Sequence, residues 1–186
     1  EIAPVAEDAG VMLILEPLNR YESQFIQRLG QAHKVCTAVG SPNVRFMADF
    51  FHMNIEEVDL GKAIEATKDY LGYVHLADSN RFEPGAGHLD FKPGLAALKR
   101  IGYDGFMTLE CKIMGADKGK ALTDAAALIR KLGTNPHRIL GIVNSKIWRR
   151  GQAQFKPELT AHADGAVHAD DAIHQLYQPL GHHQAD

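Results

Sequence analysis

Cysteine is scarce in this sequence of 186 residues: there are two, Cys36 and Cys111, far apart and without a CxxC spacing. A disulfide framework is therefore not expected, and a reducing cytoplasm is the compartment that cysteine usage points to. Long hydrophobic runs are missing as well. No segment reaches the ~18 consecutive apolar residues of a helical membrane span, and no secretory signal pattern is visible. Positive charge is not in excess. Twenty Lys and Arg stand against 23 Asp and Glu, for a formal net charge of −3, which argues against nucleic acid or an anionic membrane as an obligate partner. What is present, 45% apolar and 23% charged residues, is the composition of an ordinary soluble domain long enough to bury a sizeable core.

Four short apolar runs stand out: "VMLILEP" (11–17), "VRFMADF" (44–50), "YVHLAD" (73–78) and "FMTLEC" (106–111). They are near-continuous rather than alternating, as suits strands buried on both faces of a parallel sheet. Helical spacing fills the intervals. "FIQRLGQAHKVCTAVG" sets Phe25, Ile26, Leu29, Ala32 and Cys36 on one stripe and stops at Gly40. "IEEVDLGKAIEATKDYLG" reads as one helix, capped by Asn54 with Glu57 three residues on. "GLAALKRIG" and "KALTDAAALIRKLG" end in basic residues and glycine, as helix C-termini prefer. A helix followed by four strand–helix units predicts an α/β fold with right-handed parallel crossovers. Eight such units would close a (β/α)8 barrel.

From Gly133 the texture changes. Residues 133–186 hold six of the ten histidines and no further strand–helix repeat, so an irregular tail is expected. The irregular histidine spacing argues against a metal role there. Within it, 139–148 is amphipathic and predicts a short helix.

Each of the four strands finishes on a polar residue: Glu16, Asp49, His75 and Glu110. Ligand sites in parallel α/β folds gather at the C-terminal ends of strands. Taken singly, each residue has a structural explanation as a cap or a hydrogen-bonded core group. Three carboxylates and one imidazole delivered to one face are another matter, because like charges buried together need a cation. Oxygen-rich donors with one nitrogen favour Mn2+, Co2+ or Mg2+ over structural zinc. Such an ion beside positioned carboxylates suits proton transfer at a carbon next to a carbonyl through a stabilised enediolate, giving epimerisation or aldose–ketose isomerisation.

Further polar residues surround this set. His52, three after Asp49, is either a helix-capping loop histidine or a substrate contact. Arg81 lies in the long Gly/Pro loop "HLADSNRFEPGAGHLDF", either solvated or a donor to hydroxyl or phosphate. Glu22 is either a helix N-terminal charge or an acceptor of substrate hydroxyls. His88 and Asp90 carry weaker signals and are left outside the site.

The segments "LEPLNRYE", "DFFHMNIEE", "HLADSNRFEPGAGHLDF" and "IGYDGFMTLE" resemble the xylose isomerase-like sugar phosphate isomerase/epimerase family, in its ketose 3-epimerase and hydroxypyruvate isomerase-like branch. The resemblance covers roughly residues 1–132 and implies a TIM barrel represented by about its C-terminal half. It implies that Glu16, Asp49, His75 and Glu110 ligate one divalent ion, Mn2+ first, that Glu16 and Glu110 also transfer the proton, and that His52, Arg81 and Glu22 contact a sugar or sugar-like ketone. The barrel units before the first helix are not in this sequence. A truncated gene fragment and an N-terminal half supplied by another chain both stay open, and a homo-oligomer or completion by that half is expected, since the strands at 11–17 and 106–111 would otherwise be bare edges. Two other functions stay open: a catalytically impaired half-barrel or metal-binding interaction module, and an endonuclease IV-like phosphodiesterase, which would call for a multi-metal cluster with additional histidines.

Overall fold

The computed structural model describes residues 1–133, together with the backbone of two strands at 139–143 and 161–162. The chain opens with α1 (Ile2–Ala9), closed by Gly10 in the left-handed conformation (φ 64°), and enters β1 (Leu13–Leu15). α2 (Leu29–Val39), ended by Gly40 (φ 68°), leads to β2 (Val44–Asp49), then α3 (Phe50–Glu56) and α4 (Leu60–Ala66). A single 3-10 turn precedes β3 (Leu71–His75), which is followed by α5 (Lys92–Arg100), β4 (Met107–Cys111) and α6 (Lys118–Lys131). Strands β1 to β4 pair in chain order, all parallel. This is the four-unit half of a parallel barrel that the strand–helix alternation predicts.

Three expectations are corrected. The single helix expected from Asn54 onward is two helices: Asn54 lies inside α3, which Asp49 caps by accepting from Phe51 N and His52 N, and Asp59 caps α4 through Lys62 N. The extra start is legible after the fact, because Asp59 is an N-cap residue type one position ahead of α4, while α3 ends at Glu56. Residues 139–143, inside the stretch expected to be an amphipathic helix, form β5 (Ile139–Val143), which pairs parallel with β4 from Met107↔Ile139 to Cys111↔Val143. The edge of β4 is therefore covered, and the two-residue strand β6 (Ala161–His162) runs antiparallel on β5. The rest of the tail expectation lies outside the described residues. Among the described residues β1 pairs with β2 alone.

The core lies between sheet and helices. Leu29, Ala32 and Cys36 of α2 meet Phe46 and Ala48 of β2, and Leu95 of α5 and Ile129 of α6 belong to the same buried cluster as Val74 of β3 and Leu109 of β4. The stripe expected for α2 is buried except at its start, where Phe25 is exposed ahead of the helix. Phe50 is fully buried directly after Asp49 and stacks on Phe91 at 6.0 Å. It sits where α5 approaches: a Cβ at Gly94 would lie 2.6 Å from the Phe50 ring. Gly94→Ala is expected to lower stability by about 1–2 kcal/mol in a urea melt despite the better helix propensity of alanine, because a buried ring must move. An unchanged or raised midpoint would mean the contact yields freely.

Candidate functional site

The sheet register brings the strand-end residues together. Asp49 and His75 are the last residues of adjacent strands and are direct register partners. Glu110 is the penultimate residue of β4, and Glu16 follows β1 by one residue, ahead of Pro17. One oxygen or nitrogen from each of Glu16, Asp49, His75 and Glu110 lies within 4.8 Å of the others. Among the described residues this is the one such group of His, Cys, Asp and Glu, and it holds a single imidazole.

The carboxylates crowd one ring nitrogen. His75 Nδ1 is 3.1 Å from Glu110 Oε2, 3.5 Å from Asp49 Oδ2 and 3.6 Å from Glu16 Oε1. These are charge contacts without hydrogen-bond alignment, and both His75 Nδ1 and Glu16 Oε1 are buried with no hydrogen-bond partner. Burial works against a charged imidazole, but the approach of Asp49, Glu110 and Glu16 outweighs it and pushes the His75 pKa up to about 11. Burial likewise opposes the Asp49 carboxylate, yet His75 and Arg81 hold its pKa below the ordinary value. His75 does the same for Glu110, against burial and with help from Arg81. The ring of His75 meets Tyr73 edge-on at 5.4 Å, and the Tyr73 hydroxyl lies 2.5 Å from the buried Thr108 hydroxyl.

Arg81 reaches into this cluster. Its guanidinium donates to Asp49 Oδ2 at 2.6 Å and to Glu110 Oε2, and it lies 4.9 Å from the centre of the Phe51 ring. Burial lowers its pKa, but Asp49 and Glu110 more than restore it. The reach requires an unusual backbone: Arg81 has φ 63°, a left-handed value rare outside glycine. The loop that imposes it is organised by Asp78, a buried residue whose carboxylate accepts from Ser79 N, Gly85 N and Leu89 N at 2.7–2.9 Å, and whose carbonyl accepts from Arg81 N. Sequence reasoning missed Asp78; the turn-forming "DSN" is the only signal it leaves.

A divalent cation fits this donor set. Two buried polar atoms, Glu16 Oε1 and His75 Nδ1, lack partners and point into one space. Three carboxylates and the Arg81 guanidinium leave two formal negative charges when His75 is neutral, which one such ion would balance.

His52 and Glu22 come in from the Glu16 side. His52 Nε2 is 3.8 Å from Glu16 Oε1, and its Nδ1 is 3.9 Å from Glu22 Oε1. The loop bearing Glu22 is anchored by Arg20, which binds the buried Glu56 through Nε, Nη2 and its backbone N–H at 2.7–3.1 Å. The structure thus brings together all seven residues singled out from the sequence. His88 Nδ1 lies 3.0 Å from the Ser79 hydroxyl, and Asp90 Oδ1 accepts from Lys92 N, both within or beside the loop rather than in the cluster.

Comparison with known proteins matches residues 1–132 to the family described as "Xylose isomerase-like TIM barrel". The chain is similar to the 3-dehydro-D-guloside 4-epimerase of Escherichia coli K12, 38% identical over 126 residues that cover 68% of this chain and 48% of the relative. It is also similar to the D-psicose 3-epimerase of Enterocloster bolteae, 39% identical over 114 residues, 61% of this chain and 38% of the relative. Among solved structures, that of the D-psicose 3-epimerase with D-tagatose from Clostridium cellulolyticum H10 superimposes with a TM-score of 0.66 at 32% identity, covering 72% of this chain and 53% of that one. The chain thus spans about half the length, or less, of the curated relatives it matches.

Proposed function

Because the chain belongs to the xylose isomerase-like TIM-barrel family, we propose that it carries the metal-binding and proton-transfer machinery of a sugar epimerase, nearest in kind to a ketose 3-epimerase. The observation that carries this reading is the convergence of Glu16, Asp49, His75 and Glu110 within 4.8 Å, with two buried atoms left unpartnered. The relatives support the substrate class, since they are named as epimerases of sugars. Glu16, Asp49, His75 and Glu110 would hold a divalent cation, Mn2+ first and Co2+ or Mg2+ as alternatives, which would supply Lewis-acid stabilisation of developing negative charge.

The rest of the chemistry belongs to the chain's own residues. Glu16 and Glu110 come from opposite flanks of the four-strand set, β1 and β4. A carboxylate on each side of a substrate carbon allows one to take the proton and the other to return it from the opposite face, which inverts that carbon. His75 and Arg81 hold the Glu110 pKa below the ordinary value, which keeps this carboxylate ionised at neutral pH. His52 and Glu22 offer a donor and an acceptor for sugar hydroxyls, and Arg81 offers further N–H groups beside the carboxylates.

The test is deuterium exchange. The purified chain, loaded with Mn2+ or Co2+, is incubated with a panel of ketoses in D2O and the sugars are examined by NMR. Solvent deuterium at the carbon beside the carbonyl is expected, and chelation should abolish it. One bound ion per chain with no exchange into any ketose would sink the activity while sparing the metal site. Failure to bind an ion would sink both.

A further inference from the structure

Asn19 lies three residues past Glu16 in the loop between β1 and α2, and it is buried, with 1% of its surface exposed. Its side-chain amide makes a complete set of contacts. Oδ1 accepts from Tyr21 N at 2.9 Å, while Nδ2 lies 2.8 Å from Glu22 Oε1 and 2.8 Å from His52 Nδ1. The opposite amide orientation would set an NH2 against the Tyr21 N–H and an oxygen against the Glu22 carboxylate, so the network permits one orientation only. The backbone N–H of Asn19 is also aimed at His52 Nδ1, at 3.2 Å. Two donors therefore converge on that nitrogen, which must accept.

The ring proton of His52 then belongs on Nε2. That nitrogen faces Glu16 Oε1, a buried acceptor without a hydrogen-bond partner, at 3.8 Å. The ring has little freedom to do otherwise: His52 N donates to Asp49 Oδ1 at 3.1 Å, the residue is buried, and Phe51 packs against it at 5.3 Å. From this geometry we infer that Asn19 is a positioning residue that keeps His52 Nδ1 as an acceptor with the ring proton on Nε2, and steadies Glu22 with the same amide. His52 is thereby a standing hydrogen-bond donor beside Glu16, suited to orienting a substrate oxygen and not to taking a proton from one. Glu22, with one oxygen held by Asn19, is the matching acceptor. The part played toward a sugar rests on the epimerase reading; the tautomer does not.

The experiment reads the tautomer directly, by long-range 1H–15N correlations on the metal-free, histidine-labelled full chain at mildly alkaline pH. The His52 signals are assigned by their loss in His52→Gln. The wild-type chain is expected to show His52 protonated at Nε2 and bare at Nδ1. Asn19→Asp, which sets an acceptor opposite Nδ1, is expected to move the proton towards Nδ1. Asn19→Ala is expected to mix the two tautomers and to raise the KM for ketose about 3- to 10-fold with a smaller change in kcat, as suits loss of an oriented hydrogen bond. A wild-type His52 protonated at Nδ1, or an Nε2–H form that persists in Asn19→Asp, would overturn the inference. Should neither variant fold, the wild-type spectrum alone decides. The expected tautomer in a chain that exchanges no deuterium would reject the epimerase reading and leave this one intact.

Discussion

Glu110→Gln is expected to lower the rate of deuterium exchange into ketose by at least ~1000-fold while leaving the fold in place. The glutamine keeps the shape of the side chain and removes its charge. On the roles proposed for Glu110, two losses then combine: a proton acceptor, where general acid–base catalysis contributes on the order of 10²–10⁴-fold, and an anionic donor to the proposed cation site. The amide also meets Arg81 poorly, since the guanidinium that now donates to Glu110 Oε2 would face a neutral acceptor or another donor. Little of this reaches the core. Glu110 is partly exposed, and its backbone stays paired to β5 in the Glu110↔Ile142 register. The measurement is the exchange rate per chain at saturating metal, beside a urea melt of the same sample. Activity within ten-fold of the unsubstituted chain would remove Glu110 from proton transfer, whatever the melt shows.

Much of this site is legible before any coordinates because parallel strands deliver their C-terminal residues to one place. Once "VRFMADF", "YVHLAD" and "FMTLEC" are read as neighbouring strands, Asp49, His75 and Glu110 must converge, and the observed pairing of Asp49 with His75 follows from register alone. Spacing from the strand ends leaves Arg81, His52 and Glu22 open between structural and substrate roles, and it is the family resemblance that implies a sugar contact for them. What escapes the sequence is the layer that holds them. Asn19 and Asp78 carry no periodicity, and their work depends on which backbone N–H groups a folded loop turns towards them. The left-handed backbone at Arg81 is hidden for the same reason: no glycine announces it.

The fold shows a similar division. Helix stops at Gly10 and Gly40 are written in residue type, since both take positive φ. The five residues of β5 are not so plain. "ILGIV" is apolar on every side but short, and its flanking polar residues give it enough helical spacing to be mistaken. Its length favours a strand, and only the empty edge of β4 says where that strand would go.

The second large effect is on stability and concerns Asp49. Its carboxylate is fully buried and serves three partners at once: it caps α3 through Phe51 N and His52 N, pairs with Arg81 at 2.6 Å and faces His75 at 3.5 Å. Asp49→Ala removes the cap, worth about 1 kcal/mol, and leaves the buried His75 and the half-buried Arg81 short of a counter-charge. Breaking a buried pair from one side costs on the order of 3–5 kcal/mol, a large share of the ~5–15 kcal/mol of a typical domain. The loss has a pH signature in the metal-free chain. Asp49 has a folded pKa below its ordinary 3.8, so its contribution is present above that value and fades as pH falls through the lower folded one. His75 is shifted the other way, from 6.5 to about 11, so its contribution is complete below 6.5 and fades as pH rises towards 11. The gap in unfolding free energy between the unsubstituted chain and Asp49→Ala should therefore be widest between about pH 4 and 6.5 and should narrow on both sides. Urea melts of the metal-free proteins across that range test it. A gap that stays constant from acid to alkali would mean that Asp49 acts as a helix cap alone, with no electrostatic hold on His75 or Arg81.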